Sequence, residues 1–517
     1  MKRSNLVRSG TIVGAMTLLS RILGFIRDQV MAITFGAGSV TDVFLVAFKI
    51  PNFLRRLFAE GAFAQAFVPV FTEYRETRSR AALIDLAAHT SGTLAVVLLI
   101  VSTLGVMLSP LLIMLFAPGF IDEPEQFELA TDMLRITFPY LFFISLVAYT
   151  GSILNTFGKF AIPSFTPVLL NICMIGAALV ASPYFATPIV ALAWGVFVAG
   201  VLQLILQVPF LRKMGLLPRP RWGWQHPGVR RILKLMAPAV LGSSVAQINL
   251  LLDTVIASFL IAGSLSWLYY SDRLMEFPLG LLGVTLGTVI LPRLSSEHAA
   301  SSPESFRRTV DWAIRLVIVL GMPATIALIF LAYAMLMTLF GYGQFLASDA
   351  HMATYSLVAY SLGLPAFLLV KIFAPAFFAR QNTKTPVRIG IIALISNMAY
   401  NLLFVLPMIW LDFIAPHTGL AIASSLAAWQ QAFMLYRELK RENIYQVSSD
   451  IRSFMLKVIP ALLAMAGSLL LVSGANWESL SAVERVTHLL GIMALAGVVY
   501  AAFLGLAGIR PRHLASP

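Results

Sequence analysis

Residues 21–60 read RILGFIRDQVMAITFGAGSVTDVFLVAFKIPNFLRRLFAE. The background is apolar enough for two membrane-spanning helices. The stretch nevertheless carries eight charged side chains: Arg21, Arg27, Asp28, Asp42, Lys49, Arg55, Arg56 and Glu60. An ionised side chain at the centre of a bilayer costs about 3 kcal/mol on insertion scales, so these side chains must face protein or water. The stretch therefore predicts a cationic cavity inside a membrane protein.

The composition of the whole chain agrees with a membrane protein. Of the 517 residues, 59% are hydrophobic and only 12% are charged, whereas soluble domains have about 25% charged residues. The net charge of +13 favours anionic lipid headgroups or an anionic substrate over nucleic acid, because many of the basic residues adjoin or interrupt apolar runs. We therefore predict an all-α polytopic membrane protein.

Long apolar runs predict about fourteen transmembrane helices. The predicted spans cover residues 11–36, 40–70, 86–116, 128–156, 161–182, 188–211, 231–261, 266–292, 307–340, 352–379, 386–410, 416–437, 452–473 and 485–508. The basic residues before the first span resemble the start of a signal peptide. Because Arg21 and Arg27 interrupt that span, we expect it to be retained.

The loops between these spans alternate in charge. Lys and Arg cluster at the N-terminus, after every even-numbered span and at the C-terminus. The opposite loops are acidic, as in residues 119–128, or carry no basic residue, and only Arg485 breaks the pattern. The positive-inside rule then predicts that both termini lie in the cytoplasm.

An internal repeat relates two parts of the chain. Residues 28–40 read DQVMAITFGAGSV and residues 253–265 read DTVIASFLIAGSL, with six of thirteen positions identical. Both segments end an odd-numbered span, which suggests two six-helix units in parallel orientation. We predict two pseudo-symmetric lobes, 1–225 and 226–445, followed by two extra C-terminal helices in 446–517.

Helical spacing groups the polar residues of the second span. Lys49, Asn52, Arg56 and Glu60 share one helix face, and Arg55 lies beside it. Pro51 lacks an amide hydrogen and is expected to kink the helix. In the first span Asp28 is adjacent to Arg27, so we expect this carboxylate to orient and partly neutralise the arginine.

The second half has a comparable set. Residues 266–278 contain Ser266, Asp272, Arg273 and Glu276, and Arg273 reaches Glu276 three residues on. Lys371 is a lone cation in the tenth span. The charges placed deep in the spans are seven basic side chains and five acidic ones: Arg21, Arg27, Lys49, Arg55, Arg56, Arg273 and Lys371 against Asp28, Asp42, Glu60, Asp272 and Glu276. Arg135, Arg315 and Asp253 are set aside as nearer the span ends or structural. An excess of buried positive charge favours a multiply charged anion such as phosphate. The alternative is that these charges form interhelical salt bridges that only fix packing.

Signals for catalysis or metal binding are weak. The seven histidines are scattered, Cys173 is the single cysteine, and no HxxxH or CxxC motif occurs. We therefore predict no catalytic residues, no metal site and no cofactor. There is no GxxxxGK[ST] motif, so transport would depend on a coupling cation (Na⁺ or H⁺), the membrane potential or removal of the product.

Five segments carry a resemblance to a known family. They are SRILGFIRD (20–28), FGAGSVTDVF (35–44), FKIPNFLRRLFAEGAF (48–63), DRLMEFP (272–278) and QNTKTPV (381–387). Together with the span number they resemble the MurJ/MviN family of lipid II flippases, within the MOP exporter superfamily. The resemblance extends over nearly the whole chain.

The resemblance implies a protein of the bacterial inner membrane that moves lipid II, a peptidoglycan precursor linked to undecaprenyl pyrophosphate, to the outer leaflet by alternating access. Two lobes would enclose a central cavity, and the last two helices would form a groove for the lipid tail. The partners would be lipid II and the membrane, and contact with the cell-wall synthesis machinery is compatible with this function. By motif, the cavity cations would be Arg21, Arg27, Arg55 and Arg273, and the other cavity or gate residues Asp28, Asp42, Glu60, Ser266, Asp272, Glu276 and Lys371; Ser20, Lys49, Asn52 and Arg56 join them by position.

Three rival functions remain open. An ion-coupled multidrug or metabolite exporter of the same superfamily should have an acidic pocket for cationic drugs, whereas this set is basic. A membrane enzyme acting on polyprenyl phosphates would need an acidic metal-binding cluster or a catalytic base. The third rival is a structural scaffold, which would not need arginines inside its helices. If the protein is a transporter, we expect Arg27→Ala or Arg273→Ala to abolish transport and to leave folding largely intact.

Overall fold

The computed structural model describes residues 3–57, 63–217, 219–472 and 474–510. The chain forms two compact units, Met1–Gly263 and Ser264–Pro517, here called unit 1 and unit 2. All the longer regular elements among the described residues are helices, as the apolar runs predicted. The units are defined by packing, so the division at 225 and 445 that follows from the repeat stays a prediction.

Unit 1 contains ten α-helices in its described residues. They are α1 (Arg3–Phe35), α2 (Ser39–Leu54), α3 (Ala64–Thr77), α4 (Arg80–Met107), α5 (Ser109–Phe116), α6 (Pro124–Thr137), α7 (Tyr140–Thr156), α8 (Ala161–Gly176), α9 (Val190–Lys213) and α10 (Pro227–Ala257). Helix α8 packs against both α1 and α9, and α2 packs against α6. The charged α1 is thereby held along a neighbour from the same unit.

Unit 2 contains nine α-helices over the described part of its sequence. They are α11 (Ser264–Ala299), α12 (Pro303–Leu316), α13 (Met322–Phe330), α14 (Ala332–Leu339), α15 (Ala347–Phe378), α16 (Lys384–Trp410), α17 (Thr418–Arg441), α18 (Ser449–Val472) and α19 (Ala482–Leu506). A π-helical turn, Val317–Gly321, joins α12 to α13. Helix α15 packs against α11 and α17, and α18 packs against α13 and α19.

Each of the fourteen predicted spans falls on one helix or on consecutive helices of the described chain. Nine of these stretches are long and apolar enough to cross a membrane: Arg80–Met107, Pro124–Thr156, Ala161–Tyr184, Val190–Lys213, Pro303–Phe330, Ala347–Phe378, Lys384–Trp410, Ser449–Val472 and Ala482–Leu506. The other five predicted spans fall on α1, on α2 with α3, and on α10, α11 and α17. Three of the five carry the charged residues on which the cavity hypothesis depends, so their lower hydropathy is expected.

The turn between α1 and α2 follows from its glycines. Helix α1 ends at Phe35, and Gly36 has a φ of 71°, a conformation that favours glycine. The Thr41 hydroxyl donates to the Gly36 carbonyl at 3.1 Å, which ties the start of α2 to the end of α1. The GAGS sequence therefore ends α1 and allows α2 to begin within a few residues.

Arg485, the one basic residue that breaks the loop pattern, is buried at 8% exposure. Its Nε donates to the Trp477 carbonyl at 2.9 Å and its Nη1 to the Gly341 carbonyl at 2.7 Å. Longer bonds reach the carbonyls of Met337 and Glu478. Gly341 and Met337 lie at the end of α14, so this guanidinium satisfies free carbonyls of a helix C-terminus. Arg485 is a packing residue rather than a topogenic loop charge.

We expect Arg485→Met to lower the free energy of unfolding by about 3 kcal/mol, because buried carbonyls lose a charged donor. Thermal unfolding of the full chain in detergent measures this as a lower midpoint. Arg437→Met is the matched control, since Arg437 is exposed on α17. Equal midpoints for the two variants would show that the Arg485 hydrogen bonds contribute little.

Candidate functional site

Arg27 is the most enclosed cation of the predicted site. It is 7% exposed, and neighbouring Asp28 is 1% exposed. The Arg27 Nε and Nη2 both donate to Asp28 Oδ1, at 3.0 and 2.6 Å. The predicted pairing of these two residues is therefore confirmed. An acid beside a buried guanidinium offsets part of the cost of removing it from water.

Asn171 of α8 supplies a third partner, which the sequence analysis did not single out. Its Oδ1 accepts from Arg27 Nη1 at 3.1 Å, and its Nδ2 donates to the Ser20 carbonyl at 3.0 Å. A Cβ on Gly24 would lie 3.6 Å from Asn171 Nδ2, an ordinary van der Waals distance, so Gly24 lies on the face of α1 that Asn171 contacts. A single amide in the apolar run LNICMIG (170–176) is the signal that could have identified Asn171.

Arg21 has different surroundings from Arg27. Its side chain is exposed in unit 1, and no hydrogen bond or ion pair engages it among the residues that the structure describes. The two arginines are nearly two turns apart on α1, yet only Arg27 has a carboxylate and an amide beside it. Arg21 is thus a cation available to an external anion.

The polar face of α2 differs from the prediction at its C-terminal end. Asn52 Oδ1 accepts from Arg55 Nε at 2.8 Å, whereas Arg56 is exposed. The helix changes to π geometry at residues 55–57, and a π turn holds one residue more than an α turn. Helical phase counted from Lys49 therefore does not extend beyond Leu54, whereas Arg55, predicted to lie beside this face, contacts Asn52 at the ordinary spacing of three residues. Lys49 is partly buried, and Glu60 lies outside the described residues.

Asp42, predicted to lie at a cavity or gate, has a defined partner inside unit 1. The carboxylate is 4% exposed, and its Oδ2 accepts from the Gly263 amide at 2.7 Å. Gly263 has a φ of 96°, so this bond holds a turn that other residues rarely adopt. Asp42 therefore fixes the segment that follows α10.

In unit 2 the predicted pair of Arg273 and Glu276 is confirmed. Arg273 Nη1 lies 3.1 Å from Glu276 Oε2, and its guanidinium lies 5.1 Å from the centre of the Tyr269 ring. The side chains of Arg273 and Glu276 are 37% and 51% exposed. This cation is oriented by its neighbours but stays accessible. Asp272 is partly buried and Ser266 fully buried on the same helix.

Lys371 of α15 is exposed and lies against α11 of the same unit. A Cβ on Gly283 would come within 2.7 Å of Lys371 Nζ. Because Gly283 has no side chain, the lysine stem can lie close to the α11 backbone. The structure thus brings Lys371 to the helix that carries Arg273.

The two units each present basic side chains whose heads stay accessible. Unit 1 contributes Arg21, Arg55 and Arg56, and unit 2 contributes Arg273 and Lys371. Guanidinium groups bind phosphate through parallel hydrogen bonds, and they bind it more strongly where water is scarce. Each of these cations can therefore form hydrogen bonds to a phosphate-bearing ligand. No step of covalent chemistry is required of these residues.

Two titratable groups one turn apart on α4 meet a third, distant in the sequence, in unit 1. Ligand atoms of Asp85, His89 and His226 lie within 4.8 Å of one another, so the group could hold a metal ion by distance. His226 Nδ1 accepts from the Gly228 amide at 3.1 Å, which leaves its Nε2 as the donor toward Asp85 Oδ2 at 3.4 Å. The hydrogen bonds of His226 therefore cap the start of α10. The predicted absence of a metal site stays a prediction.

Comparison with known proteins gives one consistent result. The family described as "Lipid II flippase MurJ" matches residues 31–489. A Vibrio cholerae protein named "Probable lipid II flippase MurJ" is 49% identical over 98% of this chain and 97% of its own length. A Burkholderia cenocepacia protein named "Lipid II flippase MurJ" is 39% identical over 98% of each chain.

Solved structures agree at the level of the fold. A structure titled "Lipid II flippase MurJ, inward closed conformation" is similar with a TM-score of 0.79 and 27% identity, covering 96% of this chain and 98% of that one. An inward-facing multidrug resistance MATE transporter of the MOP superfamily has a TM-score of 0.66 at 13% identity, covering 84% of this chain and 98% of its own. The second likeness concerns the fold alone.

We expect Asn171→Leu to lower the free energy of unfolding by about 2 kcal/mol, because a buried guanidinium loses an acceptor and a backbone carbonyl loses a donor. Thermal unfolding in detergent measures the difference. Asn155→Leu, at an exposed position on α7, is the control. If both variants unfold at the wild-type midpoint, the Asn171 hydrogen bonds do not hold α1 to α8.

His226 predicts a pH dependence of stability. Burial, and then the charge of stacked His89, lower the pKa of His226 below its usual value of 6.5, against the opposing effect of Asp85. The folded protein favours the neutral form of His226. The free energy of unfolding is therefore highest above about pH 6.5, and this contribution is lost as the pH falls through the lowered pKa. His226→Asn keeps a side-chain acceptor for the helix cap but does not titrate.

Thermal midpoints at about pH 7.5 and about pH 5.5 test this linkage. We expect the midpoint of the wild type to fall more than that of His226→Asn over this interval. His298→Asn, at an exposed histidine of α11, should behave like the wild type. Parallel decreases in wild type and His226→Asn would exclude His226 as the titrating group.

Proposed function

The chain belongs to the lipid II flippase MurJ family, and we propose that it moves lipid II from the inner to the outer leaflet of the cytoplasmic membrane. The family match and nine apolar helices make it a multi-pass protein of the bacterial inner membrane. The positive-inside pattern supports the proposal that both termini are cytoplasmic. Membership of a flippase family makes transport the primary activity.

The observation that carries the proposal is Arg21. It is an exposed cation on α1, and no carboxylate engages it among the described residues of the chain. A charge without a partner on a helix of a membrane protein is costly unless a ligand or water compensates it. A diphosphate brings two negative groups at the spacing that guanidinium groups bind well.

In this proposal Arg27 and Arg273 contribute to binding in different ways. Arg27 is held in place by Asp28 and Asn171, so its positive charge stays at one position in the protein. Arg273, steadied by Glu276 and Tyr269, stays accessible for the headgroup in unit 2. We propose that alternating access moves the headgroup, driven by a cation gradient, the membrane potential or consumption of the product.

The rival function is an ion-coupled multidrug exporter. The MATE transporters share the fold at 13% identity, which does not transfer their substrates. The accessible charges of the predicted site are mainly basic, and an organic cation would be repelled by them. The basic set therefore favours an anionic substrate.

Depletion of this protein in its own bacterium tests the function directly. The fraction of lipid II open to modification at the outer face of the membrane is measured before and after depletion. We expect that fraction to fall while total lipid II rises, because synthesis continues on the inner face. An unchanged outer fraction would contradict the proposed flipping.

Arg21→Gln tests the binding role with little risk to the fold. Because Arg21 is exposed and has no partner among the described residues, we expect an unchanged thermal midpoint and a loss of outer-face lipid II of about tenfold. Arg212→Gln, at an exposed position of α9, removes a charge away from the site and should keep transport. Full transport by Arg21→Gln would remove Arg21 from the mechanism.

Arg27→Ala removes a buried ion pair as well as a cation of the proposed site. Asp28 is buried, and without Arg27 it loses an ion pair at 2.6 Å. Breaking a buried pair from one side costs about 3 kcal/mol or more, so Arg27→Ala should reduce stability as well as transport. Arg273→Ala, at a half-exposed position, should leave the midpoint nearly unchanged and reduce transport.

A further inference from the structure

Two tryptophans are exposed on the loop between α9 and α10 of unit 1. Trp222 is 58% exposed and Trp224 is 49% exposed. Their rings lie nearly parallel, with an angle of 9° between the planes and 6.1 Å between the centroids. The pair therefore forms one apolar surface with two polar N–H groups, which is typical of an interaction surface.

The loop that carries these tryptophans is fixed to α4 through its backbone. The Arg221 amide donates to the Ala88 carbonyl at 2.9 Å, and the Gly223 amide donates to the Thr93 hydroxyl at 3.0 Å. A Cβ on Gly92 of α4 would overlap the Arg221 backbone, so only glycine at this position permits such a close approach. The tryptophans are thus held at a defined height along α4.

The exposed apolar residues of α4 show where that height lies relative to a membrane. They begin at Val96 and continue through α4 and α5 as far as Leu115. This stretch is about twenty residues or about 30 Å long at the rise of an α-helix, which matches the hydrocarbon thickness of a bilayer. Thr93 and Ala88 precede Val96 by about 5 and about 12 Å. The loop therefore contacts α4 just outside the hydrocarbon, in the headgroup region.

Basic side chains surround the tryptophans. Residues 212–234 contain seven basic residues and no acidic one, and all seven are exposed: Arg212, Lys213, Arg219, Arg221, Arg230, Arg231 and Lys234. Arg231 pairs with Glu73 of α3 at 2.9 Å, whereas Arg219 and Arg221 have no ion pair among the residues that the structure describes. The surface around the tryptophans is therefore positive.

A lipid surface fits this combination better than a soluble acidic partner. Tryptophan is enriched at the membrane–water interface, where the ring lies in an apolar layer and the N–H group stays wet. The loop follows an even-numbered predicted span, so the positive-inside pattern assigns it to the cytoplasmic leaflet. That leaflet carries anionic lipids, which attract clustered arginines. A soluble partner would not require the loop to lie at the height of the headgroups.

We propose that the loop of residues 219–226 anchors unit 1 in the headgroup region of the cytoplasmic leaflet. The rings of Trp222 and Trp224 insert between lipid headgroups, and Arg219 and Arg221 bind the phosphodiester groups of anionic lipids. Because the loop backbone is tied to α4, the anchor also fixes the point at which α10 begins. The loop shares no residue with the proposed lipid II site, and its failure as an anchor would leave the flippase proposal intact.

A nitroxide label at Gln225→Cys, in a Cys173→Ser background, tests the depth of the loop in the full chain. Gln225 is exposed and adjoins Trp224, so the label leaves both tryptophans and the arginines in place. A label at Ala300→Cys, exposed beyond the end of α11, is the reference in water. In phosphatidylglycerol nanodiscs we expect the accessibility of the Gln225 label to a water-soluble nickel chelate to be about fivefold below that of the reference.

Variants of the loop separate the aromatic contribution from the charge. Trp222→Ala combined with Trp224→Ala should raise the nickel accessibility of the Gln225 label toward that of the reference. Arg219→Gln combined with Arg221→Gln should raise it in phosphatidylglycerol nanodiscs and leave it unchanged in phosphatidylcholine nanodiscs. Arg307→Gln, at an exposed arginine of α12, is the matched charge control and should behave like the wild-type loop.

Three results would overturn the proposal. Equal nickel accessibility of the two labels in the chain with both tryptophans would show that the loop lies in water, where it could meet only a soluble partner. This comparison needs no change to the tryptophans, so it decides the matter even if the tryptophan variant fails to fold. Unchanged accessibility in a folded tryptophan variant would exclude the rings as the anchor. An equal increase in Arg307→Gln would assign the charge effect to the whole protein.

Discussion

The guanidinium of Arg27 sets the arrangement of the helices around it in unit 1. A cation this deeply buried can persist only if its five N–H groups find acceptors, and Asp28 and Asn171 provide three of the hydrogen bonds. Asn171 comes from α8, so the same side chain that serves the cation joins α8 to the Ser20 carbonyl of α1. Gly24 lies on the face of α1 that Asn171 contacts. The same Asn171 side chain therefore holds α1 against α8 and supplies a hydrogen-bond acceptor to the buried Arg27.

These contacts leave Arg21 and Arg27 with different roles. Arg27 contributes a fixed charge whose hydrogen bonds are largely used within the protein, whereas Arg21 is exposed. In unit 2, Arg273 combines both properties, because Glu276 and Tyr269 orient it while its side chain stays half-exposed. A transporter needs such a division, because a ligand must bind and then leave. Fully paired charges would bind nothing, and wholly unpaired ones would be too costly to bury.

Much of the fold was predictable from the sequence, because runs of apolar residues long enough to cross a bilayer have few alternatives to helix. The pairs Arg27–Asp28 and Arg273–Glu276 were also predictable, since they depend on neighbours along one helix. Asn171 was not, because its contact with Arg27 spans 144 positions. Arg55 was predicted to lie beside the polar face that contains Asn52, and its Nε donates to Asn52 Oδ1. The π turn at residues 55–57 was not predictable, because such turns depend on tertiary packing. Arg485 looked like a loop charge until its carbonyl partners were seen.

We propose that Arg21 is a cation kept for a phosphate-bearing ligand. Equilibrium binding of undecaprenyl diphosphate to the purified wild type and to Arg21→Gln, followed at two salt concentrations, tests it most directly. We expect the affinity of the variant to be about tenfold weaker, with a smaller dependence on salt because one ion contact is lost. Equal affinity and equal salt dependence in the two proteins would contradict it.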